Sequence, residues 1–498
     1  MEVLNQIITK INDFMSDYVL LILLVGAGIF FTIRTKCAQV RYFGEGVRNL
    51  FKRNTQGKKG ISSFGALATA VAAQVGTGNI VGACGAILVG GPGAIFWMWI
   101  IAFLGMATIY AEAVLAQKTR VKGEDGIYRG GPVYYIRQAF KGKLGKFLAG
   151  FFAVAIILAL GFFGATVQAN SISSTIANAF KDFGVNATFT IGNTEFNYIM
   201  IIVGVVVAAV VGLIIIGGAK RISSVAEKIV PIMAIIYILG GLVVLAMRIT
   251  VIPETFALIF KAAFNPTAAI GGAFGATIAK AATQGAKRGL FSNEAGMGST
   301  PHAHALAETE SAHQQGTVAM VGVFIDTFIV LTMTALVVIS TLYTGNGPLA
   351  NITSADQITL DKTMMAQAAF GSVWTSNVGN IFVAVCLLFF AFTTIIGWNL
   401  FGKINVEYLF GKTTKGKKIA VLIYSILSLV MIILGSFMSE GLVWNLTDFF
   451  NQFMVLPNML ALIWLSKKVK DEIDDRDWNK KTQKQKRKID DEGYAPLS

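Results

Sequence analysis

Apolar residues in this chain gather into stretches about as long as a bilayer is thick. A helix needs about 20 apolar residues to cross the hydrocarbon core. Eleven stretches qualify: 16–33, 62–90, 92–117, 146–178, 197–217, 224–247, 266–286, 316–343, 376–402, 418–437 and 441–466. Inside lipid every backbone polar group needs an internal partner, so apolar stretches of this length read as helices. The expected class is therefore an all-α polytopic membrane protein with eleven transmembrane helices. Only 14% of the 498 residues are charged, against about 25% in soluble proteins. That excludes a soluble enzyme and a disordered chain. Cys37, Cys84 and Cys386 lie far apart, which gives neither a disulfide framework nor zinc spacing.

The net charge of +14 would suit a nucleic-acid binder, but its placement points elsewhere. The first stretch follows Glu2, Lys10, Asp13 and Asp17 and precedes Arg34 and Lys36. It lacks a positive leader and a small-residue cleavage pattern, so it reads as a membrane helix. Alternating crossings then put 37 of the 42 Lys and Arg on one side. Lys10, Lys181, Arg248, Lys261 and Lys362 remain on the other. By the positive-inside rule the N-terminus lies outside and the C-terminus in the cytoplasm of a cell-membrane protein. The basic charge serves topology and contact with the lipid bilayer, and no nucleic acid is expected. The tail, 467–498, mixes both signs and reads as a solvated end.

Glycine interrupts two of the stretches. The second carries Gly76-Thr77-Gly78-Asn79 at its middle; the seventh carries Gly271, Gly272 and Gly275 after Asn265-Pro266. Interrupted spans in corresponding places of two halves point to an inverted-repeat transporter. An offset of five spans makes the halves antiparallel. The expected organisation is an extra helix and basic loop (1–60), two five-helix repeats (61–248 and 249–466) and the charged tail. Close helix packing is the rival account of these glycines.

An unwound stretch at the midplane frees N–H groups for an anion and carbonyls for a cation. Together these offer both poles of a zwitterion without a buried charged side chain. Thr393-Thr394 in the ninth stretch adds hydroxyl oxygens, which suit a hard cation such as sodium. The rival reading is that each hydroxyl bonds back to its own helix.

The segments QVGTGNIVG, GGPGAIFWMW, GMATIYAEAVLA, VQANS and AKRGLFSNEAGMGS resemble the alanine or glycine:cation symporter family over essentially the whole chain. The resemblance implies the five-plus-five inverted-repeat fold and symport of a small neutral amino acid with sodium or a proton. It implies that Gly76, Thr77, Gly78 and Asn79 hold the substrate carboxylate, with Gln168 as a polar contact. Gly272, Phe274 and Gly275 would supply carbonyls and an aromatic wall, and Trp398 would close the side-chain pocket. By similarity to the wider fold, sodium would sit between the carbonyls of Ala72 and Val75 and the hydroxyls of Thr393 and Thr394. No cofactor is implied. Packing is the rival role for Gln168, Phe274 and Trp398.

Four further features carry expectations. Asp326, inside the eighth stretch, reads as a structural acid paired with a basic residue, with a proton or second-cation site as the alternative. Glu112 reads as solvated at the interface. His302, His304 and His313 share one segment without zinc-site geometry. Residues 359–370 and 252–264 read as surface helices outside, the former a lid. A membrane enzyme would need paired acids, a Ser/His arrangement or a metal cluster at one depth, and a passive channel a charged ring. The pattern favours a carrier, not an enzyme. Alanine or glycine is the favoured substrate, with glutamine and proton coupling as alternatives.

Overall fold

The structure is a computed structural model. It describes residues 2–51, 61–123, 126–181, 183–185, 188–191, 194–265, 278–350, 360–411 and 413–491. Among these, nine helices are long and apolar enough to cross a membrane. They are α1 (Gln6–Arg34), α5 (Gly93–Thr119), α7 (Gly142–Lys181), α8 (Tyr198–Ile215), α9 (Gly218–Met247), α13 (Ala312–Tyr343), α15 (Ser376–Phe410), α16 (Thr414–Phe437) and α17 (Glu440–Trp464). A tenth candidate is the pair α3 (Ser63–Gln74) and α4 (Gly78–Gly90), which pass the same test together and are bent by 49° at the break between them. The remaining helices used below are α2 (Phe43–Leu50), α6 (Pro132–Ala139), α10 (Ile252–Phe264), α11 (Ile278–Asn293), α12 (Pro301–Leu306), α14 (Lys362–Gly371) and α18 (Ser466–Asp491).

Local chemistry sets many of the helix starts. Ser62, Asn197, Ser311, Asp361, Thr375 and Thr413 each accept a bond from a backbone N–H of the first turn of α3, α8, α13, α14, α15 and α16. Such caps satisfy donors that the helix itself leaves open. Packing then sorts the helices. In the most apolar windows of α8, α9 and α16 only 28% of residues are buried, against 72% in α15. The first three present Ile, Leu and Val outward, as lipid-facing helices do; α15 is a core helix surrounded by protein.

The seventh stretch differs from expectation. Gly271, Gly272, Phe274 and Gly275 lie outside the described residues. The described chain continues as α11, which runs antiparallel to α4. Ala281 and Gln284 stand against Gly90 at one end of α4, and Phe291 and Ser292 against Gly78 at the other. Helix α11 stops at Asn293. Glu294, Gly296 and Gly298 then adopt φ of +57°, +87° and +83°, and α12 follows. Beyond α12, Ala307 pairs with Ile61 in a parallel bridge, and Glu308 N donates to Ile61 O at 3.0 Å. The end of α12 thus returns to the level where α3 begins. Lys287 and Arg288, expected in a loop on the tail side, instead meet Asp448 of α17 at 3.0 and 3.2 Å.

The tail is not merely solvated. It forms α18, whose first half is strapped across one end of the bundle, here termed the tail end. Asp474 pairs with Lys36 at 2.8 Å, Asp477 with Arg41 at 3.0 Å, Arg476 with Glu45 at 3.0 Å and Glu472 with Lys118 at 2.7 Å. His313 Nε2, 3.5 Å from Glu45, and Arg476 lower the Glu45 carboxyl to about 2, against the partial burial that raises it. At the opposite end α14 lies against α15, where residues 359–370 read as a surface helix, and α10 packs on α5.

Candidate substrate and cation site

The break between α3 and α4 is held open by side chains. Val75 N still donates to Val71 O at 2.7 Å, but Val75 then turns out of the helix with ψ of 88°. Gly76 N donates to Asn79 Oδ1 at 3.0 Å and Thr77 N to Gln168 Oε1 at 3.1 Å. Gly76 lacks a side chain for a steric reason, since a Cβ there would lie 2.3 Å from Thr394 Oγ1. Thr77, Asn79, Gln168, Thr393, Thr394 and Trp398 are all buried.

Thr394 Oγ1 lies 3.0 Å from Ala72 O, 3.4 Å from Val75 O and 3.0 Å from Phe390 O. One hydroxyl proton cannot serve three carbonyls. Four oxygens therefore converge with more lone pairs than donors, the chemistry that a hard cation satisfies. Thr393 does not join them. Its hydroxyl donates to Phe390 O at 2.9 Å, with Met233 Sδ at 3.6 Å. The reason is angular: neighbouring residues on a helix point about 100° apart, so only one of the pair faces α3. The expected four-member cage has three members here: Ala72, Val75 and Thr394.

The other side of the break shows the opposite imbalance. Thr77 Oγ1, Gln168 Nε2 and Trp444 Nε1 are buried without a hydrogen-bond partner. All three can donate, and unpaired buried donors are rare because each costs about 1–3 kcal/mol. A ligand carboxylate is the complementary group. Around them stand aromatic rings. Phe291 packs edge-on to Trp398, centroids 5.8 Å apart, and against Trp444 at 4.8 Å. Trp398 therefore belongs to this wall. Phe291 and Trp444 escaped the sequence reading. Phe291 does fall inside the quoted GLFSNEAGMGS motif, which was its available signal.

Trp444 continues toward the end of the bundle where α14 lies. Arg288 and Lys362 each stand 4.6 Å from the centroid of its ring, a cation–π arrangement. Asp448 accepts from Arg288, and Glu440 lies 3.6 Å from Lys362.

Three buried acids stand at the breaks, and one of them, Asp326, ties the first to the end of α11. Asp326 accepts from Asn79 Nδ2 at 2.6 Å, Ser292 Oγ at 3.0 Å and Thr327 Oγ1 at 2.8 Å. These are hydroxyl and amide donors, not the basic partner expected. Glu112 is fully buried rather than interfacial. Its carboxylate accepts from Gly296 N at 2.9 Å, Gly298 N at 3.0 Å and Asn458 Nδ2 at 2.7 Å. The left-handed glycines aim successive N–H groups at one point, which makes an anion nest. Glu294 accepts from Trp398 Nε1 and, at 2.5 Å, from Ser299 Oγ. Gln74 Nε2 completes the link by donating to Asn293 O at 2.6 Å.

The histidines are structural in their contacts. His302 bridges Ser299 O and Asn405, His304 meets Gln315, and His313 meets Tyr110. Among the described residues no group of three or more His, Cys, Asp or Glu is placed to hold a metal.

Comparison with known proteins adds four findings. A profile of the sodium:alanine symporter family matches residues 1–491. The sodium/alanine symporter AgcS of Methanococcus maripaludis is 39% identical over 464 residues, covering 93% of this chain and 94% of that one. The probable sodium/glutamine symporter GlnT of Bacillus subtilis is 39% identical over 473 residues, covering 94% and 90%. The crystal structure of MhsT in complex with L-phenylalanine superposes with a TM-score of 0.55 at 14% identity, covering 81% of this chain and 89% of that one. That likeness is one of fold.

Proposed function

This chain belongs to the sodium:alanine symporter family, a family of transporters and not of enzymes, and from that premise we propose that it carries alanine or glycine into the cell together with sodium. The observation that carries the reading is the paired imbalance at the first break. Surplus oxygen acceptors gather at Ala72, Val75 and Thr394, and surplus donors at Thr77 and Gln168. Sodium fits the first set and the substrate carboxylate the second. Phe291, Trp398 and Trp444 bound a small side-chain pocket.

In this reading the chain crosses the cell membrane eleven times, with the N-terminus outside and the tail end cytoplasmic. The pair α11–α12 is the second broken crossing. It runs antiparallel to α3–α4, as two inverted five-helix repeats require. Alternating access then rocks the broken pair against the scaffold. Asp448 with Arg288 and Lys287 closes the outer side, and the Glu112 nest closes the inner. Sodium completes the open end of α3 and so stabilises the carboxylate donors of the same break. Reciprocity requires substrate to raise sodium affinity by the same factor. One charge entering at 100 mV contributes about 2.3 kcal/mol, and a tenfold sodium gradient about 1.4 kcal/mol. One sodium per substrate then supports roughly 500-fold accumulation.

Uptake of labelled alanine into proteoliposomes, under an inward sodium gradient or an equal choline gradient, tests the proposal. Concentrative uptake with sodium alone supports it; equal uptake in both overturns sodium coupling. Unlabelled glycine and glutamine as competitors rank the pocket. Glutamine is the second reading, favoured by the similarity to GlnT; strong glutamine competition with weak glycine competition would establish it.

A further inference from the structure

Glu294 is the residue whose cost to the fold has no return in the scheme above. It is fully buried and one of three non-glycine residues among those described with positive φ. Such a conformation costs about 1–3 kcal/mol and persists where the surroundings over-determine it. Among the described residues no lysine, arginine or histidine is paired with its carboxylate; it is held by the indole N–H of Trp398 and the hydroxyl of Ser299. The indole is in turn fixed on two other sides. Its benzo edge lies against Gly164, where a Cβ would come within 2.6 Å of Cζ3, and its ring meets Phe291 edge-on. Of these three contacts on Trp398, the bond to Glu294 is the directional, polar one.

We propose that Glu294 is a positioning residue that sets substrate size selectivity by locking the Trp398 indole against the amino-acid chamber. The proposal rests on the reading of that chamber as a substrate site. Because Glu294 belongs to the second break, the wall of the pocket is held by the segment that must move in the transport cycle. The side chain admitted and the movement that carries it are therefore set by one carboxylate.

The test separates reach from charge. E294Q keeps an acceptor at full reach and loses the charge; E294D keeps the charge and falls short by one methylene. Half-saturation for alanine and for glutamine is measured in proteoliposomes for the wild type, both variants, W398F and E294D/W398F. The expected result is an alanine-to-glutamine ratio unchanged within threefold in E294Q. It shifts at least tenfold in E294D, with no further shift when E294D is added to W398F. A ratio that follows charge, lost in E294Q and kept in E294D, overturns the proposal, as does an additive double variant. In parallel, the full chain carrying 15N-indole tryptophan is examined in nanodiscs, where the Trp398 signal is the one missing in W398F. That signal should move in E294D and stay within the wild-type range in E294Q; the reverse overturns the proposal. If the wild type accumulates neither amino acid with sodium, the transport reading fails. The indole signal still decides whether Glu294 holds Trp398.

Discussion

Replace Gly76 by alanine, and the new Cβ stands 2.3 Å from Thr394 Oγ1 and 3.1 Å from both Gln168 Oε1 and Thr394 Cβ. Ordinary contact begins near 3.4 Å, so the hydroxyl must retreat by about 1 Å. Helix α15 has little room to give. One turn beyond Thr394, a Cβ on Gly397 would already lie 3.3 Å from the backbone of Ala73, so α3 and α15 are in backbone contact. Overpacking of this kind costs about 1–3 kcal/mol. Displacing the Thr394 and Gln168 contacts loses about 0.5–1.5 kcal/mol for each bond. The total is about 2–6 kcal/mol, and its low end already equals a roughly thirtyfold loss of affinity. A sodium titration of alanine uptake, with a sodium-dependent thermal shift of the purified chain, reads it. G76A should raise the sodium half-saturation at least thirtyfold. In G76A/T394A the 2.3 Å clash is gone, so thermal stability should recover while sodium dependence stays lost. Half-saturation within threefold of wild type in G76A, or sodium affinity restored in the double variant, would refute the reasoning.

The other predictions are shorter. T394A should raise the sodium half-saturation at least tenfold and T393A by less than threefold, measured side by side; equal effects would return Thr393 to the cage. Q168A removes the acceptor of Thr77 N and one orphaned donor, and should weaken alanine about tenfold to a hundredfold, measured as half-saturation at fixed sodium. The Glu45 carboxyl, lowered to about 2 from 4.5, stabilises the docked α18 in full above about pH 4.5. That contribution is lost as pH falls through about 2. Hydrogen exchange of residues 472–478 should therefore stay slow at pH 5 and rise below it, and E45Q should show the fast rate already at pH 7.

Much of this architecture is legible in the sequence because lipid-facing helices must be apolar. Stretches 146–178, 197–217 and 224–247 fall on α7, α8 and α9, and the interruption at Gly76–Asn79 falls on the break after Gln74. The interruption read at Gly271, Gly272 and Gly275 lies outside the described residues, and the break that follows Asn293 was not anticipated. Helix α11 runs past residue 286 to carry Lys287 and Arg288, which hydropathy reads as a loop. It is enclosed by α4 and α5, and Lys287 and Arg288 both pair with Asp448, so lipid imposes no apolar pattern on it. The unused signal was the Gly296 and Gly298 spacing directly after an acid. Glu112 was misjudged similarly, since two of its partners are backbone N–H groups of that same turn and the third, Asn458, is 346 residues away in the chain. Of the Thr393–Thr394 pair, only Thr394 faces the α3 carbonyls. A sequence supplies two hydroxyls, and helical rotation decides which one faces the carbonyls.

The bridge between Ile61 and Ala307 has a mechanical consequence. It joins the tail-end termini of both broken pairs through main-chain atoms, with Glu308 N on Ile61 O. Torque applied to α3 is therefore passed to α12 without the help of any side chain. Substitution can retune what each half-helix binds but cannot uncouple their rotation, because the linkage is written in peptide groups that every residue except proline supplies. The linkage is therefore cut by inserting, deleting or kinking the chain, or by a proline that removes its N–H.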